Sequence, residues 1–125
     1  MPRILIVDDS PTIRKMVRAS LRPLDSFDFV EAANGLEAIE QVALAPVALI
    51  ILDLNMPDMH GVDVLRFLRN HAGSREVPVV VLTTRGDASS RDAAMTAGAT
   101  HYLTKPFAPQ ALLSAAQDLL RGAPL

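Results

Sequence analysis

The chain has 125 residues, half of them apolar, and its 12 Lys and Arg against 14 Asp and Glu leave a net charge of −2. That fits one compact domain, and without a basic run there is no electrostatic footprint for nucleic acid. With no cysteine, disulfides and thiolate metal sites are excluded, carboxylates interrupt the N-terminus before a signal-peptide core forms, and no apolar run approaches the roughly 18 residues of a membrane span; a cytoplasmic protein is expected.

The first apolar run, Ile4 to Val7, predicts a buried strand and ends in two adjacent carboxylates, Asp8 and Asp9. Ile13, Met16, Val17 and Leu21 then recur at helical spacing, with Arg14, Lys15 and Arg18 elsewhere on the wheel. A weaker strand is expected over Phe27 to Ala32, followed by a helix whose stripe is Leu36, Ile39 and Val42. The second continuous run, Ala48 to Leu52, leads into Asp53 and Asn55, and Val64, Leu65 and Leu68 mark a third helix. Val79 to Leu82 is a strand closing on Thr83 and Thr84. The fourth helix, around Ser90 to Ala97, is mostly Ala with a lone Met95; Asp87, Ser89 or Ser90 is expected to cap it and Gly98 to stop it. Thr100 to Leu103 is a short strand before Lys105, and Leu112, Leu113, Ala116, Leu119 and Leu120 form the last stripe.

Five strands alternating with five helices predict an α/β fold, a parallel sheet with right-handed crossovers and helices on both faces. Ligands of such sheets bind beyond the carboxyl ends of the strands. The residues there are Asp8, Asp9, Asp53, Asn55, Thr83, Thr84 and Lys105. Crowded carboxylates do not all stay ionised unless a positive charge joins them. An all-oxygen donor set suits a hard ion that retains waters, which points to Mg²⁺. With Lys105 on the other flank, the group is suited to placing a phosphoryl group on Asp53, since carboxylates serve as phosphoryl acceptors.

Four motifs then carry a resemblance: "VDDS" at 7–10, "DLNMPDMHG" at 53–61, "LTT" at 82–84 and "GATHYLTKPF" at 98–107, with "TIRKMVR" at 12–18 in the first helix. In that order and at those strand ends, the chain resembles a response-regulator receiver domain of the CheY-like, stand-alone chemotaxis type. The resemblance implies a flavodoxin-like, doubly wound (βα)5 sheet of strand order 2-1-3-4-5. It further implies that a histidine kinase phosphorylates Asp53 from a phosphohistidine. Asp9 and Asp53 would hold Mg²⁺ directly with the Asn55 carbonyl, and Asp8 through metal-bound water. Lys105 would contact Asp53 at rest, and a cis Lys105–Pro106 peptide would aim it inward. Thr83 would move toward the phosphoryl group, and Tyr102 would enter the space from an exposed position, changing the face made by the fourth helix, fifth strand and fifth helix.

Arg85, His60 and Thr84 depart from the common pattern. Arg85 and Asn55 are expected to flank Asp53 and tune phosphoryl lifetime, and Thr84 to narrow access for small phosphodonors. The output face offers Arg91, then Asp118 and Arg121, fewer basic groups than a flagellar-motor target of basic preference would meet. His71 reads as a helix-end charge, His60 and His101 as surface residues. One monomeric receiver over residues 1–125 with no output domain is expected, since only "GAPL" follows Arg121. It would be no enzyme beyond its own phosphoryl transfer and loss, acting on a downstream protein such as a flagellar motor switch. A phosphorelay shuttle, a phosphate sink and a fragment of a larger regulator are the alternatives. An aspartyl-phosphate phosphatase is more distant, because Asn55 stands where that chemistry wants an acid-base carboxylate.

Overall fold

A computed structural model describes residues 2–121; "GAPL" lies outside the described residues. The elements are β1 (Arg3–Val7), α1 (Pro11–Ser20), β2 (Asp28–Ala32), α2 (Gly35–Leu44), β3 (Leu49–Leu52), α3 (Gly61–Asn70), β4 (Val79–Thr83), α4 (Ala88–Ala97), β5 (His101–Thr104) and α5 (Pro109–Arg121). All five strands are parallel, in the order β2-β1-β3-β4-β5. No helix among the described residues is long and apolar enough to cross a membrane.

The central strands β1, β3 and β4 are continuous apolar runs because both of their faces are covered. Their side chains alternate between two cores. Leu5, Val7, Ile50, Leu52, Val79 and Val81 pack with Val42 of α2, Val64 and Leu68 of α3 and Ala94 of α4. Ile4, Ile6, Leu49, Ile51, Val80 and Leu82 pack with Val17 of α1 and Leu112 and Ala116 of α5.

Several helix expectations are corrected. Leu36 is exposed, and Ala38 joins the expected Val42 in the core from α2, while Ala94 is the buried residue of the Ala-rich α4, whose Met95 is exposed. Met16 is also outside the core. At Gly35 the neighbour is the loop after β3: a Cβ there would stand 2.8 Å from that of Met59 and 3.1 Å from Val64 Cγ2 of α3. β2 starts at Asp28 and β5 at His101, each one residue later than expected, and α4 starts at Ala88 behind an Asp87 cap. Gly98 ends α4 in the left-handed region, φ 119°, where only glycine is unstrained. Arg69 of α3 fastens that turn, donating to the Gly98 carbonyl from both Nε and Nη2 and to the Val77 carbonyl from Nη1.

Candidate functional site

The ladder carries the acidic residues to one place. Beyond the last register pair of β1 and β3, Val7 with Leu52, the Asp53 N–H donates to the Val7 carbonyl at 2.9 Å. The Asp8 N–H donates to Ala32 at 3.1 Å, so Asp8 and Asp53 end neighbouring strands. On the far side the Lys105 N–H donates to the Thr83 carbonyl at 2.7 Å, which brings the ammonium back over the same edge. The Lys105–Pro106 peptide is cis.

Asp8 and Asp53 are only 2% and 3% exposed, whereas Asp9 is exposed. The three bring carboxylate oxygens within 4.8 Å of one another. Lys105 Nζ donates to Asp8 Oδ2 at 2.8 Å and stands 3.5 Å from Asp53 Oδ1. The expected resting contact with Asp53 is therefore the longer of two, and the ammonium is anchored on Asp8. Asp53 Oδ1 also accepts the Asn55 N–H at 3.2 Å. Burial, followed by repulsion from the Asp8 carboxylate, pushes the Asp53 carboxyl up to about 6. Three crowded carboxylates against one ammonium, with oxygen donors only, fit a hard divalent cation such as Mg²⁺.

Thr83 is fully buried, and its Oγ1 accepts the Arg85 N–H at 3.3 Å. Asn55 Nδ2 lies 3.5 Å from the same oxygen. Thr84 is exposed in the loop after β4. Tyr102 corrects an expectation: it is buried, not exposed, with its hydroxyl donating to the Arg85 carbonyl and the Arg91 guanidinium 5.8 Å from its ring centre. The Arg85 side chain leans toward Asp87 at 3.8 Å and, with Asn55 and His60, lines a cleft of about 260 Å³.

Some contacts were invisible in the sequence. His60, expected as a plain surface residue, caps α3 by accepting the Val62 N–H. His71 stacks on Phe67, ring centres 5.6 Å apart. Asp58 accepts the Gly35 and Leu36 N–H groups, which hold its carboxyl below the usual range and tie the loop after β3 to the start of α2. A long-range cap of this kind leaves no local signal.

The family model for the response regulator receiver domain matches residues 4–117. The chain belongs to the response-regulator receiver family. Among receivers it is 38% identical to the chemotaxis protein CheY1 of Helicobacter pylori over 111 residues, covering 88% of this chain and 90% of the relative. It is also 38% identical to the transcriptional regulatory protein SrrA of Staphylococcus aureus over 118 residues, covering 94% of this chain but 47% of that protein. The solved receiver structure of the chemotaxis response regulator CheY4 of Vibrio cholerae matches with a TM-score of 0.87 at 34% identity, covering 95% of this chain and 98% of the other.

Proposed function

We propose that this receiver is a phosphorylation-driven signalling switch whose acceptor is Asp53. The observation that carries the reading is the buried Asp53 carboxylate set among Asp8, Asp9 and Lys105 at the strand ends. A carboxyl raised to about 6 is mostly ionised at neutral pH and remains a competent nucleophile. An Asp53 oxygen attacks phosphorus of a kinase phosphohistidine; the P–N bond breaks as the P–O bond forms, and the imidazole leaves with its electron pair. Asp9, Asp53 and the Asn55 carbonyl would hold Mg²⁺, with Asp8 through water. When bound, the ion offsets charge on the cluster and on the phosphoryl oxygens. Lys105 supplies the second positive charge by leaving Asp8 for the phosphoryl oxygens, a short move given its position between the two acids.

Thr83 carries the change onward. Its Oγ1 is buried beside the site, and turning it toward a phosphoryl group gives up the Arg85 N–H. Tyr102, already inward on the Arg85 carbonyl, is then held there rather than admitted. The output is protein binding through α4, β5 and α5, and no catalysis beyond phosphoryl gain and loss. Likeness to chemotaxis proteins along nearly their whole length supports a chemotaxis role. The equal identity to part of a transcriptional regulator supports a second reading, the receiver of a longer regulator. Phosphotransfer from a labelled histidine kinase, followed by capture of partners on the phosphorylated and Asp53→Asn proteins, tests both. A motor-switch partner that binds only the phosphorylated form supports the first; no transfer contradicts the proposal.

A further inference from the structure

We infer that Arg14, on the first turn of α1, is a positioning residue for the acid pair, acting through the backbone between Asp8 and Asp9; this rests on the reading of the cluster as a cation site. The sheet ladder stops just past β1. Asp8 N–H still reaches Ala32, but beyond it the β2 chain turns into the cap of α2, where the Ala33 N–H goes to Glu37. The Asp8 carbonyl takes Arg14 Nη1 instead, at 2.6 Å. Arg14 is in turn fixed by Glu31 of β2, Nε to Oε1 at 2.8 Å, and its side chain is only 15% exposed.

The Asp8 carboxylate is held independently, Oδ1 by the Ser10 N–H at 2.9 Å and Oδ2 by Lys105 at 2.8 Å. Asp9 is exposed and has no side-chain hydrogen bond among the described residues. No side-chain partner fixes its carboxylate, so the Asp8–Asp9 peptide plane, which sets where the Asp9 Cα stands, is what places it, and Arg14 grips the oxygen of that plane. Groups behind metal ligands commonly change affinity ten- to a hundredfold when removed.

Two effects of removing Arg14 have opposite signs. If Arg14 were only a nearby charge, its loss would strengthen cation binding. If it positions Asp9, its loss weakens binding. Mg²⁺ titration calorimetry on the unphosphorylated full chain at fixed ionic strength reads the sign. Arg14→Met is expected to lower Mg²⁺ affinity about tenfold. Arg18→Met removes the same charge from the same helix and the same Glu31 partner, 3.2 Å away, and is expected to leave affinity unchanged or raise it. The Asp9 amide resonance should shift in Arg14→Met and hold in Arg18→Met. A purely structural role would lower the unfolding temperature and leave the folded protein's affinity intact. Should Arg14→Met not fold, Arg14→Lys keeps the charge without the fork, and wild-type affinity in it overturns the inference. So does unchanged or tighter binding by folded Arg14→Met. Wild-type protein that binds no Mg²⁺ overturns the cluster reading itself, and the inference falls with it.

Discussion

Lys105 is anchored on Asp8, at 2.8 Å, and stands off from Asp53 at 3.5 Å. Asp8 is thus both the repulsive neighbour that raises Asp53 and the acid that draws away its counter-charge. Asp8→Asn removes the repulsion and frees Lys105 toward Asp53. The Asp53 carboxyl should fall from about 6 toward, without reaching, its ordinary value of 3.8, because burial persists. Carboxyl carbon NMR titration in the absence of metal reads it, and an unmoved midpoint contradicts this assignment.

Asp53 also predicts a pH-dependent stability. Its carboxyl is raised in the native state, so between about pH 4 and 6 the native protein binds more protons than the unfolded chain. Stability contributed by this group therefore falls as pH rises through that window and levels off above it. A rise from 3.8 to about 6 corresponds to about 3 kcal/mol at most. Asp53→Asn should stabilise the metal-free protein by about 1–3 kcal/mol at pH 7 and by almost nothing at pH 4. Urea unfolding at the two pH values decides, and a gain independent of pH would assign it to another cause.

Gly61 opens α3 against Asp53 and Leu54 at the end of β3. A Cβ there would stand 2.5 Å from the Leu54 Cα and 2.9 Å from the Asp53 carbonyl, both backbone atoms with no room to yield. Gly61→Ala should cost about 1–3 kcal/mol, as overpacking does, and weaken Mg²⁺ binding by displacing Asp53. Wild-type unfolding and metal affinity in this variant would contradict the packing account.

Arg85 meets Thr83 and Tyr102, the proposed switch residues, through its backbone, while its side chain faces the cleft beside Asn55 and His60. Arg85→Glu preserves the backbone contacts and reverses the cleft's charge. At surface distances that is worth about 1 kcal/mol, or roughly a fivefold change in the rate of phosphoryl loss. Unchanged loss from phosphorylated protein would remove Arg85 as a rate-tuning residue.

How legible these features were follows from their physics. β1, β3 and β4 are buried on both faces, so each reads as an apolar run, and the acids that follow β1 and β3 were recognisable as a group. The inner face of α2 was misread at Leu36 because Gly35 and Ala38 take its buried positions, and small residues make no hydrophobic stripe, whereas the Ala-rich α4 buries only Ala94. The exposed position expected of Tyr102 came from the resemblance, not from its surroundings in this sequence. Its burial comes from Arg91 and the Arg85 carbonyl, on other elements. Arg14 with the Asp8 carbonyl and Asp58 with α2 are side-chain-to-backbone contacts that only the folded register creates.

We propose above all that Asp53 accepts a phosphoryl group in a metal-dependent reaction. Intact-mass measurement after incubation with a small phosphodonor, with Mg²⁺ and with chelator, tests it most directly. One added phosphoryl group is expected on the wild-type chain with Mg²⁺, and none with chelator or in Asp53→Asn. Modification that persists in Asp53→Asn, or no modification of the wild-type chain by either a phosphodonor or a phosphorylated kinase, would contradict it.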